Sequence, residues 1–176
     1  VYRLNQTADP SVFASCFAVF LRHLFDDLQT LSEGERAAWL SWLQGFQDPE
    51  TGLFMDPENV NRATDPLHDT EHLNRQLSTF CLSAIDALCG KPHHRLRFLE
   101  PWKDSDRLTH WLESLEWYNP WNCGNKIMFM GSFFAYDAHY NGDATSLEAL
   151  DIWFDWHDQN QSSKTGFWGN GRKAAY

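Results

Sequence analysis

The sequence predicts an all-α protein built from α/α-hairpin repeats, in which amphipathic outer helices alternate with heavily buried inner ones. Three observations carry this. First, WLSWLQGFQDPETGLF (Trp39 to Phe54) and WFDWHDQNQSSKTGFW (Trp153 to Trp168) align without a gap at a shift of 114 residues. Trp39, Trp42, Gln47, Thr51 and Gly52 thereby meet Trp153, Trp156, Gln161, Thr165 and Gly166, and Phe54 meets Trp168. Second, a shift of 51 superposes two strongly apolar stretches, matching Asn74 with Asn125, Arg75 with Lys126, Ala84 with Ala135, Asp86 with Asp137 and Ala87 with Ala138. Third, no segment shows the period-two alternation of a half-buried strand.

The elements follow in chain order. A first inner helix is expected from about Ser11 to Leu31. Ser32 is a fair N-cap for the next helix, with Glu35 three residues on as its capping-box partner. In that outer helix Trp39 and Trp42 lie three apart on one face and bury together. Asp-Pro followed by Thr-Gly then stops the helix, Gly52 being free to take a positive φ, and the aromatic after it packs back. The second inner helix runs on Leu73, Leu77, Phe80, Cys81, Ala84, Ile85 and Leu88, with Gly90 as its stop. A weaker third copy of the outer pattern is HWLESLEWYNPW (His110 to Trp121). The inner helix after it, Asn125 to Tyr140, is apolar nearly all round, which predicts cover on every side. Asp56 to Asp69 and Lys91 to Asp104 read as connecting loops. The period is about 50 residues per helix pair.

Composition narrows the function. A net charge of −10 argues against nucleic acid, whose phosphates need a basic face, and against an anionic membrane surface. The longest apolar run, Ile127 to Tyr136, is about half the ~20 residues that span a bilayer. With no secretory signal in view, a cytoplasmic location is expected. Cys16, Cys81, Cys89 and Cys123 show no zinc spacing, and Cys81 and Cys89 on an apolar stretch read as small buried thiols of a reducing compartment. Nine Trp and thirteen Phe exceed what a minimal core needs, so some rings fill wide gaps or line a pocket.

Alternating helices with Gln, Gly and an aromatic in the hairpin turn resemble the α/α toroids of the terpenoid cyclase and protein prenyltransferase superfamily. Gln161, Gly166 and Trp168 are similar to the Gln-x-x-x-Gly-x-Trp motif of triterpene cyclases with one extra residue before the glycine, and Gln47, Gly52 and Phe54 repeat it with Phe for Trp. The resemblance implies a partial α/α toroid whose inner helices line a cavity. It does not extend to the acid motifs. Asp104-Ser105-Asp106 lacks the last acid of Asp-x-Asp-Asp, and Asp26-Asp27 begins an Asp-Asp-x-x-Asp box whose third position is Thr30. No zinc set of the prenyltransferase kind is legible. The chain, residues 1–176, reads as one domain of about three hairpins, too few to close a toroid. It is therefore expected to need the rest of a longer chain, or self-association, to complete the ring.

In a toroid the inner helices run parallel, so their N-termini, with unpaired N–H groups and partial positive charge, meet at one rim. Three such starts are legible, and each carries a cation: Asn74, Arg75 and Gln76; Asn122, Asn125 and Lys126; and Asn170, Arg172 and Lys173. A cation at a helix N-terminus opposes the dipole, which suggests an anion is meant to sit there. The plain alternative is that these cations pair with acids of neighbouring helices. His72 with Asp69 three residues before it is the candidate catalytic pair, although Asp69 or Thr70 equally suits the N-cap. His68 and His72 lack a third ligand at a fixed spacing, so no metal is expected, and no cofactor is named.

The expected function is therefore part of a cavity-containing toroid enzyme acting on an anionic small molecule. That molecule is either a prenyl diphosphate or a uronate-type carbohydrate, since carbohydrate-active lyases, hydrolases and epimerases also use α/α barrels. The competing expectation is a helical-repeat binding or structural module without chemistry of its own.

Overall fold

The computed structural model describes residues 2–57, 69–117 and 119–168. Among those residues the regular structure is entirely helical. The chain forms two compact units, Val1–Arg95 and Leu96–Tyr176.

The first unit holds three described α-helices: α1 (Val12–Leu24), α2 (Glu33–Gln44) and α3 (Thr70–Ala87). Ser11 caps α1 by accepting from the Ala14 N–H. α1 ends seven residues before the expected Leu31, because Asp26 turns left-handed at φ 54° and the chain continues as a 3-10 turn over Leu28–Thr30. Ser32 and Glu35 form the expected capping box at the start of α2. α3 packs on both α1 and α2, and Cys16, Val19, Leu43, Leu77, Cys81, Ile85 and Leu88 fill the space between them.

The end of α3 departs from the sequence reading. Cys89, not Gly90, takes the left-handed conformation, at φ 59°. Its N–H donates to Asp86 O at 2.7 Å and the Gly90 N–H to Ile85 O at 2.9 Å, the paired bonds of a Schellman cap. Gly90 serves packing instead, since a Cβ there would overlap the Leu40 side chain of α2.

The second unit holds α4 (Ser105–Ser114), α5 (Pro120–Asn141) and α6 (Ala144–Asn160), preceded by a 3-10 segment over Arg97–Trp102. The expected loop from Lys91 to Asp104 is thus partly helical, and it buries Leu99. Asn119 caps α5 through the Asn122 N–H, with Pro120 in the first turn, a position where the missing donor costs nothing. Gly142 ends α5 at φ 64°. α6 packs against both α4 and α5. At one crossing the Trp153 indole lies so close over Gly131 that a Cβ would sit 3.1 Å from the ring. Phe129, Met130, Phe133 and Phe134 are buried, but Trp121, Gly124, Met128, Ala135 and His139 form an exposed face at helical spacing, so α5 is covered on one side and not all round. A periodicity that runs apolar all round cannot show where a neighbour stops.

The two turns matched at a shift of 114 have the same hydrogen bonds. Gln47 Nε2 donates to Gly52 O at 2.9 Å, and Gln161 Nε2 to Gly166 O at 2.8 Å. The Gly52 and Gly166 N–H groups donate to Asp48 O and Ser162 O, each at 2.8 Å, and Asp48 N and Ser162 N to Leu53 O and Phe167 O at 2.8 and 2.9 Å. Thr51 and Thr165 hydroxyls accept from Leu53 N and Phe167 N. Both glycines have positive φ, 81° and 71°, which a Cβ would strain.

The cover over the two turns differs. Gln47 also brackets His94, donating to its carbonyl and accepting from its N–H, both at 2.8 Å. Phe54 is fully buried, and its N–H donates to Ser78 Oγ of α3 at 2.7 Å. Gln161, Gly166 and Phe167 are exposed. Gln47→Ala is therefore expected to cost about 1–3 kcal/mol, since it strands buried backbone groups. Gln161→Ala should cost under ~0.5 kcal/mol, as exposed substitutions do. Equilibrium unfolding of the two variants checks the asymmetry, and equal losses would contradict it.

Candidate functional site

The predicted residues of the first unit stand at the start of α3. Asp69 is its N-cap, Oδ1 accepting from the His72 backbone N–H at 2.8 Å. The Asp69 bond thus runs to the His72 main chain. His72 is buried. Arg75 pairs with Glu71 one turn earlier on the same helix, Nη2 to Oε1 at 2.5 Å, whereas the plain alternative for that cation is an acid of a neighbouring outer helix. Asn74 has a structural part through its carbonyl, which accepts from Ser78 Oγ at 2.7 Å, the same hydroxyl that receives Phe54 N–H. Successive residues on a helix point about 100° apart, so Asn74, Arg75 and Gln76 fan out around α3.

Of these, Gln76 lines a cavity. A groove of about 770 Å³ opens between α1 and α3, walled by Leu4, Phe13, Phe17, Leu73 and Phe80 with Gln76 among them. Phe80 is the hub of the ring cluster behind it. The rings of Phe13, Phe17 and Phe20 stand 5.8, 5.4 and 6.0 Å from it, mostly edge to face, the arrangement that aromatic quadrupoles favour. Asp9 and Ser11 lie at the same groove. Such a wall can hold an apolar body and fix one polar group through the Gln76 amide.

The predicted residues of the second unit stand at the start of α5. The Asn122 N–H is taken by the cap oxygen of Asn119 at 3.1 Å, Asn125 is half-buried and Lys126 exposed. Between them Cys123 donates to Glu116 O at 3.0 Å. Burial raises its thiol above the ordinary range, and Lys126 offsets part of that. Arg172, together with His68, Asn170 and Lys173, lies outside the described residues.

Two clusters were missed by sequence reasoning. Lys103 Nζ meets Glu100, Asp137 and Asp143 at 2.9, 3.1 and 3.2 Å, with Lys103 and Asp137 side chains both nearly sealed from solvent. Burial opposes the ammonium, but the three carboxylates outweigh it and hold its pKa above the ordinary lysine value. Thr145 and the Ser146 N–H, followed by Lys103, hold the Asp143 carboxyl far below the usual range. This is a staple joining the 3-10 segment to the α5–α6 corner. The only sequence signal was the pairing of Asp86 with Asp137 at the shift of 51.

The second cluster is His157, buried on α6 with Trp153, Trp156, Trp168 and Trp117 at ring distances of 4.0, 5.2, 5.8 and 6.5 Å. Its Nδ1 bonds Trp153 O at 2.7 Å. Burial lowers its pKa. Trp168 closes the cluster by donating from its indole to His157 O at 2.7 Å. Much of the surplus of rings therefore belongs to packing around the outer Trp pair.

Among the described residues, no group of three or more His, Cys, Asp or Glu is placed to hold a metal ion, and no helix is long and apolar enough to cross a membrane. No protein-family model, curated protein or solved structure matches the chain.

Proposed function

We propose that this chain is part of an α/α-toroid enzyme that holds a small molecule with an apolar body and an anionic head, a prenyl diphosphate being the better fit of the two classes expected. The observation that supports it is the α1–α3 groove, whose Phe-rich wall suits an isoprenoid tail better than a uronate ring. Gln76, which shares the groove with Asp9 and Ser11, is the polar group on the α3 wall that would orient the ligand. The positive end of α3, at Thr70, offers an anion the field of its first-turn N–H groups, of which the His72 N–H is already taken by the Asp69 cap. Asp69 and His72 enter this reading as positioning groups, since Asp69 is engaged in the cap.

A second reading, a non-catalytic helical-repeat module, has its own support. The turn at 161–168 repeats the bonds of the turn at 47–54, the mark of a repeated unit whose stability comes from packing on its neighbours.

Titration with farnesyl diphosphate, farnesol, inorganic diphosphate and galacturonate, followed by thermal shift and calorimetry, separates these. Farnesyl diphosphate should stabilise the protein most, farnesol less, and the two small anions hardly at all. Phe80→Ala should weaken farnesyl diphosphate by tenfold or more, at about 1.4 kcal/mol per decade, and Gln76→Glu should weaken it by repulsion while leaving farnesol unaffected. Binding of none of the four would sink the ligand reading and leave the module.

A further inference from the structure

The structure assigns Cys16 and Cys81 as a redox-responsive pair that forms a disulfide across α1 and α3. Their Sγ atoms are 3.7 Å apart, both side chains are fully buried, and both thiols are free. They stand on helices in direct packing contact. Each adjoins a ring of the groove wall, Phe17 following Cys16 and Phe80 preceding Cys81, and those rings are themselves 5.4 Å apart. A disulfide needs an S–S separation of about 2.05 Å, so the sulfurs must close by roughly 1.6 Å from their present 3.7 Å. Closing that distance requires side-chain rotation and a small helix shift. Of the other two cysteines, Cys89 is exposed and Cys123 belongs to the second unit, bonded to Glu116 O.

A peroxide is the co-reactant that suits a sealed site, because hydrogen peroxide is little larger than water. One sulfur, as thiolate, attacks a peroxide oxygen and the O–O bond breaks. A sulfenic acid forms, and the departing hydroxide leaves as water with the proton the thiol gave up. The neighbouring thiol then displaces the sulfenic hydroxyl, which leaves as the second water. Two thiols are oxidised and one peroxide is reduced to two waters. Burial, followed by the contact with Cys16, holds the Cys81 thiol well above the ordinary range. Thiolate is therefore scarce, and the reaction is slow at neutral pH and faster on openings of α1. The pair is a guarded one, oxidised under sustained exposure.

The link closes a loop between positions 65 apart in the chain, so the oxidised form should be the harder to unfold. The proposal is independent of the ligand assigned to the groove, because its readout is covalent.

The test treats the folded full chain, dilute, with hydrogen peroxide until Cys89 is consumed and for several times longer, then maps peptides without reduction. Cys89 serves as the clock. The expected result is a Cys16–Cys81 linked peptide, about 2 Da lighter than the sum of its parts, a higher thermal midpoint, and reversal of both by dithiothreitol. Cys81→Ala should leave Cys16 without an intramolecular link under the same exposure. Cys16 and Cys81 both still free at the end, both over-oxidised without a link, or either one linked to Cys89 or Cys123, would each overturn the assignment.

Discussion

Replacing Lys103 with Met is expected to destabilise the second unit by about 3–5 kcal/mol, because it removes one partner from a buried charge cluster. Asp137 is left with its Ser146 and Asn141 donors at 2.7 and 2.6 Å but no countercharge in a place closed to water. Glu100 is two-thirds exposed, so its share of the loss is small. The diagnosis rests on the second substitution. Lys103→Met combined with Asp137→Asn deletes the orphaned charge, keeps the Asn141 donor on the remaining amide oxygen and reverses the Ser146 bond so that the new amide donates to Oγ. It should recover a large part of the loss. Hydrogen exchange resolved by peptide locates the effect, with faster exchange in α5, α6 and residues 97–104. A double variant no more stable than the single one would mean that packing of the lysine stem, not charge, holds this corner.

Phe54→Ala is expected to cost the first unit a comparable 3–5 kcal/mol, the range for an aromatic truncated in a sealed core. Phe54 is at zero exposure and its backbone ties the turn to α3 through Ser78. Trp168→Ala, the matching change in the other turn, should cost less than half as much despite the larger ring. That indole is more than a third exposed and it holds one bond to His157 O. Urea unfolding compares the two, read by exchange of α1–α3 in one case and α6 in the other. A loss below about 1 kcal/mol for Phe54→Ala would mean that the turn is not an anchor.

The sequence carried the local rules well. Ser32 and Glu35 announced their capping box, and Gln47 with Gly52 announced a turn that Gln161 with Gly166 repeats bond for bond. These signals are short in range and set by backbone geometry. What it carried poorly is direction and distance. Gly90 read as a helix stop because glycine accepts positive φ most readily, yet Cys89 took that conformation and Gly90 made room for Leu40. Asn74, Arg75 and Gln76 read together as one part of the rim because all three lie at one helix start, whereas a helix sends them to different sides and of the three only Gln76 lines the groove. Lys103 sat in what read as a loop, and nothing local to it points to Asp137 thirty-four positions on. The groove itself depends on how α1 lies against α3, which no periodicity encodes.

The twin turns also differ in when they can be finished as the chain is made. Gln161 closes on Gly166, five positions away, so that turn is complete almost as soon as it leaves the ribosome. Gln47 closes on His94, 47 positions away, after all of α3 has been added. At synthesis rates of about 5–20 residues per second, the first turn waits roughly 2–10 s with its buried-to-be amide and Phe54 still in water. The earlier copy of the motif thus has the longer wait between its synthesis and its completion, and during that interval the nascent chain depends on the turn's own short-range bonds, Gln47 to Gly52 among them, to hold α2 ready for its partner.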